Sequence, residues 1–209
     1  MSSLSLRIPA GAAVAVGVSS IWLSSLSWAQ QPPAVRVRGT IAAVDGAMLT
    51  IKTREGTDVK AKLADNAMVV AVVKASYSDI KQGSFIGVTG MPQPDGSQRC
   101  MEIHIFPEAM RGTGEGHRPW DLQPQSTMTN ATVDQMVTAV NDHTVTLKYK
   151  EGEKKIAVGP DCPIVTYAPA DKAELKPGAK IFINAAAKEA DGTLSVPRIN
   201  VGRDAAPPM

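Results

Sequence analysis

The sequence predicts a mainly β protein built from two similar halves, and three observations carry that expectation. A stretch of about 70 residues occurs twice, its apolar residues alternate with period two, and glycine or proline punctuates it at short intervals. Gly39–Lys52 (GTIAAVDGAMLTIK) aligns without a gap with Gln135–Lys148 (QMVTAVNDHTVTLK), 96 positions further on. Glu55-Gly56 matches Glu151-Gly152 and Asp95-Gly96 matches Asp191-Gly192 at the same offset, while Asp79–Gly83 matches Glu174–Gly178 displaced by one.

The elements follow in order. Ile41 and Ala43, then Leu49 and Ile51, alternate with polar or small residues around Asp45-Gly46, which reads as a hairpin. Arg54-Glu55-Gly56 turns the chain into a strand with Val59, Ala61 and Leu63 on one face. Met68–Val73 is a continuous apolar, largely β-branched run suited to burial on both sides. Ser76–Lys81 offers one short helical turn, stopped by Gly83, and Phe85–Val88 and Met101–Ile105 flank the turn at Asp95-Gly96. The second copy repeats this order, with Asn141-Asp142 at its first turn. Five or six short strands and one small helical turn match an OB-like antiparallel barrel, in which closure removes the exposed sheet edges. The expected fold class is therefore two tandem OB-like barrels joined by a long ordered linker. One repeat spans 35–106 and the other 130–203, with an inter-repeat segment at 107–129 and a tail at 204–209.

Residues 1–29 read as a signal peptide, followed by a short lead at 30–34. Arg7 is the only charge, Ala10–Leu26 is largely apolar, and Ser27-Trp28-Ala29 places small residues where a signal peptidase cuts. No later segment has the apolar length of a spanning helix, so no transmembrane segment is expected in the mature chain. The expected location is periplasmic or secreted. From Gln30 onward the chain carries 21 basic and 20 acidic side chains with few aromatics, which argues against nucleic acid as a partner.

The segment from Pro107 to Asn130 holds the distinctive chemistry. It is longer than most connections, and such loops are usually functional or disordered. It contains Trp120, the only tryptophan after residue 29, together with Met110, Arg111, His117, Arg118 and Asp121. A tryptophan needs a surface to bury against. Either Trp120 pins the segment into a groove between the barrels, or these six residues form a surface for a ligand or partner. An envelope protein or an anionic envelope component suits the two arginines. Gly112-Thr-Gly-Glu-Gly116 lacks the Gly-Lys-Ser/Thr and following helix of a phosphate loop, so its glycines are expected to serve tight turns with positive φ.

Strict alternation in the strand at 101–105 places Cys100, Glu102 and His104 on the face opposite Met101, Ile103 and Ile105. The second copy has Val196, Arg198 and Asn200 there. Cys100, Glu102 and His104, with His117 folding over, form a candidate Zn or Cu site, and a periplasmic metal-binding protein is the alternative function. The competing reading is an ordinary solvated sheet face. Export also permits a disulfide between Cys100 and Cys162, which would remove the thiolate. Catalytic motifs are missing from the sequence, and Glu102, Glu108, Glu115 and Asp121 gain no acid–base role from proximity to histidines alone. The expected function is a non-enzymatic exported binding or interaction module without a cofactor.

The pattern Gly-Thr-Ile-x-x-Val-Asp-Gly-x-x-Leu-Thr-Ile-Lys, the Asp-Ile-Lys-x-Gly turn and the late Asp-Gly resemble a family of exported bacterial OB-like domains of unknown function. With Phe106–Leu122 (FPEAMRGTGEGHRPWDL), the chain resembles a narrower proteobacterial group with two such repeats. That resemblance implies the fold and export, and implies no activity.

Overall fold

The computed structural model describes residues 34–138 and 143–207. The expected leader at 1–29 and the turn at Asn141-Asp142 lie outside the described residues. Twelve strands run in chain order: β1 (Val35–Asp45), β2 (Met48–Thr53), β3 (Asp58–Lys74), β4 (Phe85–Pro92), β5 (Gln98–Ile105), β6 (Gly116–Pro119), β7 (Thr127–Thr138), β8 (His143–Tyr149), β9 (Gly152–Val158), β10 (Ile164–Pro169), β11 (Lys180–Lys188) and β12 (Leu194–Gly202). Among the described residues, helical structure is confined to three short 3-10 turns. One of these, Tyr77–Asp79, falls where a helical turn is expected, and Asp79 caps it by accepting from the Ser76 N–H and hydroxyl at 2.8 and 2.7 Å. No helix among the described residues is long and apolar enough to cross a membrane.

The turns expected at Asp45-Gly46, Glu55-Gly56 and Asp95-Gly96 are in place. Gly46, Gly56 and Gly96 adopt φ of 57°, 85° and 83°, a region that glycine enters without a Cβ penalty. The barrel itself is assembled differently from the tandem arrangement expected. Strands β12–β11–β1–β2–β3 pair in that order, and β12 closes on β3 in parallel, giving a five-stranded barrel. It therefore combines the first half of one repeat with the second half of the other. Its core joins Ile41, Leu49 and Ile51 to Ile181, Val196 and Ile199, none more than 1% exposed. The remaining halves form the sequence β5–β4–β7–β8–β9, with two parallel pairs, Gln98 with Ile156 and Arg99 with Ala157, between its ends. A second apolar cluster, including Ile86, Ile103, Val145, Leu147 and Ile156, fills this set.

The reason for the exchange lies in β3. The apolar run at 68–73 does not form a separate strand but prolongs β3 to 17 residues. By Lys74 the chain has left the first barrel, so β4 and β5 join the second set. In return, β10 brings the chain back, pairing antiparallel with the end of β3 so that Val72 faces Tyr167. Pairings in one set have counterparts in the other: β1 with β11 and β7 with β4, and β12 parallel to β3 and β5 parallel to β10.

Candidate functional site

The equivalent strands β5 and β12 flank the β3–β10 ladder, giving a four-stranded floor in the order β12–β3–β10–β5. Residues directly opposite in a ladder share a face. His104 pairs with Val165, Tyr167 with Val72 and Val70 with Asn200, so one face of the floor presents His104, Tyr167 and Asn200, with Arg198 two residues before Asn200. A cavity of about 220 Å³ lies over this face. Phe106, Met128 and Asn130 bound it on one side, and Phe182, Asn184 and Ala185 on the other.

The inter-repeat segment supplies the remaining wall. After a 3-10 turn at Glu108–Met110, Gly112, Gly114 and Gly116 adopt φ of 81°, 55° and 121°, and the chain then runs as β6 along β7. Met110, Thr113, Gly114, Arg118 and Trp120 line the cavity. Trp120 is half-buried and held at its backbone, where its N–H donates to Ser126 O at 2.8 Å. Three guanidiniums lie against its ring, Arg36 at 4.3 Å, Arg38 at 5.7 Å and Arg118 at 5.8 Å from the centroid. Each such contact attracts a cation to the negative ring face. Asp121 fastens the segment to β1 through Arg38 at 2.8 Å and Arg36 at 3.3 Å. Burial alone would raise the Asp121 pKa, but the hydrogen bond and charge of Arg38, together with Arg36, outweigh it and hold the carboxyl below its ordinary range.

Of the six segment residues singled out from the sequence, Met110, Arg118 and Trp120 therefore reach the cavity. Arg111 instead bonds Glu108 and donates to Gly83 O at 2.9 Å. Asp121 serves the ties to β1. His117 lies on the opposite face of β6 from Arg118, where its Nδ1 is 2.8 Å from Thr129 Oγ1 and its ring stacks on Tyr149. Burial, then the charges of Lys154 and Arg118, push its pKa down.

The four expected metal ligands are not gathered. A register shift between β4 and β5 places two residues of β5, Cys100 and Met101, in the span of a single step of β4, and breaks the alternation there. Cys100 consequently turns into the second core, 5% exposed, and is disulfide-bonded to Cys162 with Cα atoms 5.8 Å apart. Its sulfur is thus not a thiolate ligand. Glu102 and His104 remain together but form no solvated face, being 6% and 4% exposed beneath the cavity. His104 Nε2 lies 3.0 Å from Glu102 Oε1, an ion-pair distance without hydrogen-bond alignment, and Nδ1 is 3.2 Å from the Tyr167 hydroxyl. Burial, then the Glu102 charge, raises the Tyr167 pKa far above the ordinary tyrosine range against the opposing pull of Arg198. Among the described residues, no cluster of three or more His, Cys, Asp or Glu side chains could hold an ion.

Sequence reasoning passed over Arg198, Asn200, Tyr167, Asn130, Phe106 and Phe182. One signal was available: Glu102 and His104 have Arg198 and Asn200 as their counterparts, so both copies carry polar residues at the same two places. The side-chain amide oxygens of Asn130 and Asn200 are buried without hydrogen-bond partners, and buried polar groups of that kind call for a specific reason. Arg198 donates only to the Met110 thioether, at 3.5 Å, and Arg118 only to Gly114 O, at 2.7 Å. Neither guanidinium has a carboxylate within salt-bridge distance among the described residues.

No family model, curated protein or solved structure matches this chain.

Proposed function

We propose that this protein is a non-enzymatic, exported binding module, two interlocked OB-like barrels whose ligand sits in the cavity beneath the inter-repeat segment. The observation that carries the reading is the pair of guanidiniums, Arg118 and Arg198, that face the cavity without carboxylate partners. An unpaired arginine at an apolar surface is strongly suited to an oxyanion. The Cys100–Cys162 disulfide supports export, because such bonds persist in oxidising compartments. The near balance of charge and the small cavity favour a small molecule over nucleic acid.

The test is native mass spectrometry of the protein isolated gently from the envelope of the producing cell, run beside Ala185→Trp. Ala185 is exposed at the cavity wall, so the indole blocks the space without disturbing a core. A small adduct on the wild type that is absent from the variant supports the site. An adduct carried equally by both places the ligand elsewhere, and a bare wild type that gains no thermal stability from any member of a small-anion panel refutes the reading.

A further inference from the structure

The cavity's lining also specifies a ligand class, and this inference rests on the binding-module reading. Phe106, Trp120, Tyr167 and Phe182 are four of the seven Phe, Trp and Tyr residues that follow residue 29, and all four border this one space. In a chain with 4% aromatics, that concentration provides flat apolar walls for a planar group. The volume of about 220 Å³ accommodates one ring with its substituent and is too small for a polymer segment.

The charges decide the rest. Arg118 and Arg198 both face the cavity without a carboxylate partner, and the two oxygens of one carboxylate can accept from both guanidiniums. The Met110 thioether is a weak acceptor, so a carboxylate that displaces it gives Arg198 two strong charge-assisted bonds in place of one poor one. We propose that the cavity binds a single-ring aromatic monocarboxylate, its carboxylate on Arg198 and Arg118 and its ring against the aromatic walls.

The experiment is isothermal titration of the purified full chain with benzoate, its neutral isostere benzamide, phenyl phosphate and acetate. Benzoate should bind at least about tenfold more tightly than benzamide, the size expected for a charge-assisted hydrogen bond. Arg198→Gln should remove most of that advantage while keeping the cooperative thermal unfolding transition of the wild type, which a merely unfolded variant would not do. Benzamide binding as tightly as benzoate would overturn the assignment of the carboxylate and leave the cavity as a binding site. Tighter binding of phenyl phosphate would overturn the monocarboxylate class, and acetate matching benzoate would overturn the ring. If no probe binds, the class is wrong. The wild-type adduct in native mass spectrometry then decides separately whether the cavity holds a ligand at all.

Discussion

The disulfide should be the largest single contributor to stability, because it ties β5 of the first repeat to the loop that leads into β10 of the second. The bridged residues are 62 positions apart. On the chain-entropy model a loop of that length restricts the unfolded ensemble by about 4 kcal/mol, and native disulfides typically contribute about 2–4. At about 2–4 °C per kcal/mol for a domain of this size, reduction should lower Tm by about 10 °C. The assay is urea and thermal unfolding of the wild type with and without reductant, beside Cys100→Ala/Cys162→Ala. Alanine suits Cys100, since a serine would place an unpartnered hydroxyl in the second core, where Cys100 is 5% exposed. The double variant should resemble the reduced wild type and ignore reductant. A wild type whose midpoint does not move although both thiols titrate as free would refute the reasoning. So would an oxidised protein that retains the mass of both thiol hydrogens.

Three further outcomes are expected. Gly87 lies between His104 and Asn130 in the sheet, and a Cβ there would sit 2.7 Å from Asn130 Oδ1 and 3.0 Å from a Phe106 ring carbon. Gly87→Ala should therefore cost about 1–3 kcal/mol in urea unfolding, the usual range for overpacking. The pKa of His117 is lowered on folding from the ordinary 6.5, so the unfolded chain takes up a proton that the folded one resists. Stability should then fall as pH drops below that value, and His117→Gln should flatten the slope of the urea midpoint between about pH 7 and pH 5. Expressed separately, residues 30–122 and 123–209 should each lack a cooperative unfolding transition by circular dichroism, because the closed barrel needs β1–β3 from one piece and β11–β12 from the other.

The local structure was legible in the sequence and the long-range pairing was not. Asp45-Gly46, Glu55-Gly56 and Asp95-Gly96 marked their turns because a positive φ leaves a chemical trace, namely glycine. Alternation marked the strand faces wherever the ladder was regular. It failed at Cys100, where the register shift re-aims one side chain, and nothing in Arg99-Cys100-Met101 announces that shift. The exchange of halves was equally hidden. Apolar patterning states that a strand has a buried face but not which strand covers it, so a repeat closing on itself and a repeat closing on its copy look alike. The length of β3 was the one clue, since no glycine or proline separates Val59 from Lys74. On the inter-repeat segment, tryptophan and arginine flagged a special surface. That surface still needed Arg198 and Tyr167, which the chain supplies only after another 47 residues or more.

The exchange has a consequence for how such a site can arise. In a tandem pair, equivalent residues of two repeats lie on separate barrels and face separate environments. Here β5 and β12 flank one central ladder, so equivalent positions become opposite sides of the same cavity floor. His104, Asn200 and Arg198 thereby contribute to one space, with Glu102 buried behind His104. A change in one copy alters one side only. An imidazole at 104 opposite an amide at 200, with the Arg198 guanidinium beside it, then gives the floor an asymmetry that two identical copies could not have. The inter-repeat segment occurs once, and it adds Arg118 and Trp120 over that asymmetric floor. Specific chemistry is thus confined to positions where the two copies differ and to the one segment that is not duplicated.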